Sequence, residues 1–133
     1  MQIIDGQIPE GNLWRALVIS SPKEALGRAF QLALALARAN DGQLIIGIYI
    51  ADLNPAAQTA AHAQADKIRQ MVPEANNVVI LIMTAANFDK ALANFVGEAG
   101  IDLLVAHMDG PIAYNLNRVS CAVAAIRGDT AAV

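Results

Sequence analysis

The fold is indicated by a stretch in the first half of the chain, residues 15–51, which reads RALVISSPKEALGRAFQLALALARANDGQLIIGIYIA. It begins and ends with almost continuously apolar runs, at residues 15–20 and 43–51, which are typical of strands covered on both faces. Between them, Ser21-Pro22-Lys23-Glu24 has the residues of a helix-capping box, and apolar residues follow it at helical spacing. Asn40-Asp41-Gly42 then supplies a helix stop and a turn. This stretch therefore predicts a strand, a helix and a second strand.

The same alternation continues along the rest of the chain. Three further apolar runs follow, at residues 77–84, 102–107 and 119–127. Alanine-rich stretches predict a second helix over residues 54–73 and a third over residues 87–100. Strands that alternate with helices predict an α/β fold: an open, mostly parallel, five-stranded sheet with helices on both faces and right-handed crossovers.

The connection between the last two apolar runs is unusually short. Only eleven residues, 108–118, join them, whereas a parallel crossover needs about a dozen residues or more and usually contains a helix. Asp109-Gly110-Pro111 favours a turn, which leaves residues 112–116 for about one helical turn. Either the last strand is reached by a tight irregular link, or it pairs outside the expected order, for example with a second subunit.

Composition excludes several classes of protein. The 133 residues are 56% hydrophobic and 16% charged, which argues against disorder, and a single cysteine excludes a disulfide framework. The longest strongly apolar run, residues 44–51, is far shorter than the roughly 18 to 20 residues that span a bilayer, and no signal-peptide pattern is present. A net charge of −3 with dispersed arginines gives no footprint for nucleic acid. We therefore expect one cytoplasmic domain over residues 1–133, of which residues 1–12 form an irregular lead.

Polar residues follow the predicted strands at the edge where an open α/β sheet places its ligands. They are Ser20, Ser21, Asp52, Thr84, His107 and Asp109. Ser21 heads a predicted helix, so it either caps that helix or helps to bind a phosphate or carboxylate there. Asp52, His107 and Asp109 have the chemistry of a metal site or an acid–base pair, but their spacing matches no motif. We therefore predict no metal site and no catalytic residue, and no glycine-rich phosphate loop is found.

Three further residues stand out by type. Trp14, the single tryptophan, either anchors the lead onto the rest of the domain or marks a partner surface. Cys121 lies in an apolar run, so we expect a buried, unreactive thiol. His62 lies among alanines and polar residues and is expected at the surface.

Several segments together resemble the universal stress protein domain. They are residues 16–21, 25–37, 42–50, 101–105 and 120–127, with Asp-Leu-Leu-Val at 102–105 and Ser-Cys-Ala-Val at 120–123 the most specific. The resemblance covers about residues 14–127. It implies a doubly wound parallel sheet in the order 3-2-1-4-5, a homodimer through the last strand at 119–127, and in many members ATP binding. In that order Ser20, Ser21, His107 and Asp109 line one crevice.

The chain departs from this family at the nucleotide site. ATP-binding members carry an aspartate at the end of the first strand, where this chain has Ser20-Ser21. After the fourth strand they carry G-x2-G-x9-G-[ST], to which only Gly110 corresponds, and the fourth crossover helix is reduced or missing. The resemblance therefore implies a degenerate nucleotide site. Its candidate ligand-binding residues are Ser20, Ser21, Asp52, His107, Asp109 and Gly110.

A second resemblance concerns the residues before the first of these strands. Asn12-Leu13-Trp14-Arg15 is similar to the Asn-Trp-Arg-Pro lead-in of the cytosolic C-terminal domains of cation-chloride cotransporters and amino-acid permeases, without the proline. Those domains share the stress-protein fold and act in dimerisation or regulation of the transporter. This resemblance implies a place on the cytosolic face of a membrane protein.

Three hypotheses about function follow. The first is a non-catalytic regulatory or assembly module with a degenerate nucleotide site and no cofactor, forming the cytosolic part of a transporter. The alternative is a stand-alone universal stress protein that binds ATP or AMP. The third is a small hydrolase or metal enzyme that uses Asp52, His107 and Asp109.

Overall fold

The computed structural model describes residues 2–6, 8, 11, 13–22, 27–52, 54–72, 77–108, 112 and 114–127. Within them the elements follow in the order β1 (Gln2–Asp5), β2 (Arg15–Ser20), α1 (Arg28–Ala39), β3 (Gln43–Tyr49), α2 (Pro55–Met71), β4 (Val78–Met83), α3 (Phe88–Glu98), β5 (Leu103–His107), a 3-10 helix (Leu116–Arg118) and β6 (Ala122–Ile126).

The strands form one six-stranded sheet in the order β1-β4-β3-β2-β5-β6. The strands from β2 to β6 are mutually parallel, and their order confirms the predicted 3-2-1-4-5 arrangement. β1 is an addition that the sequence did not predict, because we interpreted residues 1–12 as irregular. It pairs antiparallel with β4 at one edge of the sheet.

Both faces of the sheet are covered by helices, which explains the continuous apolar runs. On the first face, α1 and α2 pack over residues such as Val18, Ile46 and Ile80. On the second face, α3 packs over residues such as Leu17 and Leu81. Every residue of β2 and of β4 is buried, as expected for strands between two helical layers.

Two of the three helices begin where the sequence predicts. Asn54 precedes Pro55 and its side-chain oxygen accepts a hydrogen bond of 2.8 Å from the Ala57 amide. Asn87 caps α3 in the same way, with a hydrogen bond of 3.1 Å from the Lys90 amide.

The predicted start of the first helix at Ser21 is wrong. α1 begins at Arg28 with Gly27 as its N-cap and no side-chain capping bond. Ser21 precedes a turn, and Lys23 and Glu24 lie outside the described residues. The buried stripe of α1 starts at Ala29, so packing against the sheet, rather than the local cap, determines where the helix begins.

The short link to the last strand is a tight one. β6 pairs in parallel with β5, which confirms the first of the two alternatives for this connection. Between these strands the described residues contain one turn of 3-10 helix and no α-helix. Ile112, Tyr114 and Leu116 pack against the core of the second face, where a fourth crossover helix was expected to be reduced or missing.

Trp14 anchors the lead at the amino-terminal ends of the strands. Its half-buried side chain packs against the core of the first face, and its carbonyl accepts a hydrogen bond of 2.7 Å from the Gln43 amide. The neighbouring Gly42 lies directly against the Trp14 backbone and indole ring. The first of the two roles considered for Trp14 is therefore present in the structure.

Arg15 connects three parts of the fold at the same end of the sheet. Its side chain is buried, and Nε donates to Oε1 of Gln43 at 3.2 Å while Nη1 donates to the carbonyl of Ala99 at 3.2 Å. Its main chain makes two hydrogen bonds with Asp102. The Arg15 amide donates to Oδ2 of Asp102 at 3.0 Å, and the Arg15 carbonyl accepts from the Asp102 amide at 2.9 Å. Arg15 thus holds β2, β3 and the turn after α3 together.

Candidate functional site

A cleft of about 450 Å³ lies at the carboxyl ends of β2 and β3, next to the start of α2. Its lining consists of Ser21, Pro22, Tyr49, Ile50, Ala51, Asp52, Asn54, Ala56, Ala57 and Ala60. Small alanines of α2 leave the space open, and the ends of the two strands form the opposite wall. The cleft therefore lies at the edge where open α/β sheets bind ligands.

The described lining of the cleft is mainly apolar, and its polar side chains are Ser21, Tyr49, Asp52 and Asn54. Among the described lining residues there is no lysine or arginine, and Asp52 adds one carboxylate. This arrangement can bury a flat, weakly charged molecule and bind its polar groups at a few points.

The start of α2 has few amide groups left for an anion. Pro55 has no N–H, the Ala57 amide donates to the side chain of Asn54, and the Gln58 amide donates to the Asn54 carbonyl at 3.0 Å. Of the first-turn amides, only that of Ala56 is not used in these contacts. This helix end therefore offers little to a phosphate group.

Ser20 lies beneath the cleft and ties two elements together. Its side chain is buried, with Oγ donating to the carbonyl of Ser21 at 2.9 Å and accepting from Nε2 of Gln64 in α2 at 3.2 Å. Ser20 is not among the residues that line the cleft. Its hydroxyl positions the turn that carries Ser21.

His107 lies at the carboxyl end of β5 and is half-buried. In the register of β2 with β5, Val18 pairs with Val105, so Ser20 and His107 are each two residues further along on the same face of the sheet. His107 does not line the cleft, and neither does Thr84. The structure thus brings Ser21 and Asp52 together, while His107 lies on the other side of β2.

The remaining sequence candidates give no further site. Asp109 and Gly110 lie outside the described residues. In the part of the chain that is described, no three His, Cys, Asp or Glu side chains are grouped so that they could hold a metal ion. Cys121 is half-buried, and burial raises the pKa of its thiol, which therefore stays protonated at neutral pH.

The sequence did not point to Tyr49 or to the aromatic chain that it starts. The Tyr49 ring lies 4.6 Å from that of Phe88, which lies 5.8 Å from that of Tyr114, and the Tyr49 hydroxyl donates to the carbonyl of Ala85 at 3.2 Å. These contacts hold the ring of Tyr49, at the end of β3, against α3 and the link before β6 on the second face of the sheet. Asn54 also lines the cleft, and for this residue Asn54-Pro55 was the available signal, because a helix start that follows a parallel strand lies at the ligand edge of such a sheet.

Solved structures with the same architecture identify the fold. A universal stress protein in complex with cAMP superposes with a TM-score of 0.63 at 19% sequence identity, covering 88% of this chain and 98% of that chain. The chain folds as universal stress proteins do. The universal stress protein UspA from Lactobacillus plantarum gives a TM-score of 0.63 at 18% identity, covering 89% of this chain and 100% of that chain. No protein-family model matches the sequence, and neither does any curated protein.

The universal stress protein fold accounts for the position of the cleft. In this chain the first two strands of the parallel sheet are β2 and β3, and the cleft lies at their carboxyl ends. The stress-protein resemblance stated from the sequence is therefore confirmed at the level of the fold. Within the described residues, no helix is both long enough and apolar enough to cross a membrane.

Proposed function

We propose that this chain is a non-catalytic regulatory module that binds a nucleoside or a nucleotide of low charge in the cleft of Ser21 and Asp52. The observation that carries the proposal is the cleft itself. Its volume of about 450 Å³ is within the range of small-molecule sites, and its apolar walls suit a purine ring. The hydroxyl of Ser21, the carboxylate of Asp52 and the amide of Asn54 supply polar groups for ribose hydroxyls.

The charge of the cleft favours a ligand with one negative charge or none. A triphosphate carries several negative charges and needs cations or free amides, whereas the described lining offers a carboxylate and a capped helix start. One of the structures with the same fold holds cAMP, which has a single negative charge. We therefore propose that the site disfavours ATP and accepts adenosine or a cyclic monophosphate.

The first prediction is an order of affinities. In magnesium-free buffer, we expect adenosine and cAMP to bind at least about tenfold more tightly than ATP, because each tenfold factor needs only about 1.4 kcal/mol of added repulsion. Isothermal titration calorimetry measures the four constants, with AMP as the intermediate case. ATP binding as tightly as adenosine would favour the alternative, a stress protein that binds ATP, and binding of none of them would refute the proposal.

A matched pair of substitutions locates the binding site. Ala56→Leu fills the cleft and is expected to weaken adenosine binding more than about tenfold, because the added side chain occupies ligand volume. Ala63→Leu makes the same change at an exposed position of α2 outside the lining and is expected to leave binding unchanged. Equal effects of the two substitutions would place the ligand elsewhere.

We also propose that two copies of the chain assemble through β6. Among the described strands, β6 has β5 as its single neighbour and is apolar, so its outer edge suits pairing with a partner strand. Light scattering is expected to give about twice the chain mass of 14.0 kDa. Ala125→Lys, at an exposed position of β6, should lower it to the monomer mass. Ala63→Lys on α2 is the control, and a monomer before substitution would contradict the proposal.

The transporter hypothesis receives no support from the residues that suggested it. Trp14 is half-buried against the core and Arg15 is buried, so both have contacts within the fold that account for their presence without a membrane partner. Asn12 lies outside the described residues. The proposal therefore concerns the regulatory module alone.

A further inference from the structure

The two edge strands of the described sheet differ in direction: β6 is parallel to its neighbour, whereas β1 is antiparallel to its neighbour. At one edge β6 has β5 as its single neighbour. At the other edge β4 would be the last of the parallel strands, but β1 lies beside it and runs antiparallel to it. β1 therefore covers an edge that the parallel fold itself leaves open.

The covered edge is well suited to pairing with another strand. β4 reads VVILIM, which is uncharged, free of proline and rich in β-branched residues, and all six residues are buried. Strands of this composition associate with other chains when their outer N–H and C=O groups are exposed. β4 is thus the strand of this sheet that most needs a cover.

The cover is short. β1 has four residues, and its register joins it to Ile80, Leu81 and Ile82, with an irregularity between Ile3 and Asp5. Ile3 is opposite Leu81 but remains 46% exposed. A short edge strand with one neighbour and an irregular register opens more often than the strands in the middle of the sheet, which have a neighbour on each side.

The orientation of β1 indicates what fits in its place. When two copies of a strand edge meet across a twofold axis, the strands pair antiparallel, because such an interface uses the same patch on both copies. β1 presents this same antiparallel orientation to β4. A second β4 edge therefore matches the hydrogen-bonding direction of the strand that it would replace.

We propose that β1 is a displaceable guard strand and that the β4 edge beneath it is a self-association surface, whose partner is the β4 edge of a second copy of this chain. Displacement of β1 exposes the outer N–H and C=O groups of Val78–Met83. Antiparallel pairing with the second copy then satisfies them. This surface lies at the opposite edge of the sheet from β6.

The test removes the hydrogen bonds of β1 in the full chain. In Ile3→Pro/Ile4→Pro, one of the two lost N–H groups faces β4, because consecutive N–H groups of a strand point in opposite directions. At about 100 µM the weight-average mass of this variant is expected to be at least double that of the unsubstituted chain. Ile3→Thr/Ile4→Thr is the control, since it changes the same side chains and retains both N–H groups.

Hydrogen exchange shows which edge is used. In the proline variant, the outward-facing amides of Val78–Met83, which do not bond to β3, should be protected at high concentration and lose protection on dilution. A folded proline variant with the mass of the unsubstituted chain would overturn the proposal, as would association without concentration-dependent protection of β4. In the unsubstituted chain, β1 amides should exchange at least about tenfold faster than those of β3. Equal protection of β1 and β3 would also overturn it, whether or not the variant folds.

Discussion

Replacing Gly42 with alanine is expected to lower the free energy of unfolding by about 2 to 3 kcal/mol, the size of a severe overpacking defect. A Cβ at this position would lie against the carbonyl oxygen of Trp14 and 2.9 Å from Cε3 of its indole ring. The backbone has little freedom to move away. The Gly42 amide donates to the Ala37 carbonyl at 2.7 Å, and the Gly42 carbonyl accepts from Nδ2 of Asn77 at 2.6 Å. Any shift that relieves the clash therefore weakens one of these bonds.

Gly97→Ala is the matched control and has the opposite sign. Gly97 lies in α3, is exposed, and has open space where a Cβ would be. Alanine there should raise the free energy of unfolding by about 0.5 kcal/mol, because it lowers the backbone entropy of the unfolded chain. Urea unfolding followed by circular dichroism measures the free energy of unfolding of both variants. In thermal unfolding, Gly42→Ala should lower the melting temperature by on the order of 10 °C. Similar values for the two variants would contradict the close approach of Gly42 to Trp14.

Arg15→Met is expected to cost about 2 to 4 kcal/mol of stability, although arginine and methionine fill similar space. The substitution leaves Oε1 of Gln43 and the carbonyl of Ala99 without the donors that Arg15 provides, at a position where the side chain is only 5% exposed. Arg15→Lys should cost less stability than Arg15→Met but should still be destabilising, because a single ammonium group cannot reproduce the planar fork of the guanidinium. The midpoint of urea unfolding is the quantity to measure.

The control for Arg15 is Arg28, an exposed arginine at the start of α1. Arg28→Met should change the free energy of unfolding by less than about 0.5 kcal/mol, as is usual for surface positions. A loss at Arg15 no larger than the loss at Arg28 would show that the buried contacts do not stabilise the fold. A large loss confined to Arg15 would confirm that this side chain holds β2, β3 and the turn after α3 together.

The parallel part of the sheet could be predicted because each strand carries its own signal. A strand buried on both faces must be apolar at nearly every position, and the five runs were long enough to stand out from the helical stretches between them. β1 has four residues and one neighbour, and its apolar residues Ile3 and Ile4 are adjacent rather than alternating. Its strand conformation comes from the open edge of β4, which is a property of the assembled sheet and not of residues 2–5.

Helix starts were predictable where local and tertiary signals coincide. At Asn54 and Asn87 the cap residue is followed by the apolar face of a helix that packs on the sheet, and the cap is formed as expected. At Ser21 the local signal was equally strong, but α1 starts at Arg28 because its buried face begins there. A capping motif thus shows that a residue can cap a helix, but packing against the sheet determines where the helix begins.

The candidate site was predictable only in part. The rule that ligands bind at the carboxyl ends of strands selected Ser21 and Asp52, which line the cleft. The same rule selected Ser20, whose hydroxyl is engaged by Gln64, because sequence position does not show which way a side chain is turned. Tyr49 could not be found, since within an apolar run it has no distinguishing pattern until its contact with Phe88 is known.

The unequal edges of the sheet set a limit on growth. In the language of polymer chemistry, a monomer with two reactive ends yields chains of unlimited length, whereas a monomer with one reactive end yields a product that stops at two units. The four residues of β1 pair with β4 and act as an end-capping group. Among the described strands, this leaves the β6 edge as the one reactive end. With the β4 edge covered, the proposed pairing through β6 would stop at two copies, whereas two open edges would let the sheet extend, copy after copy, into a filament.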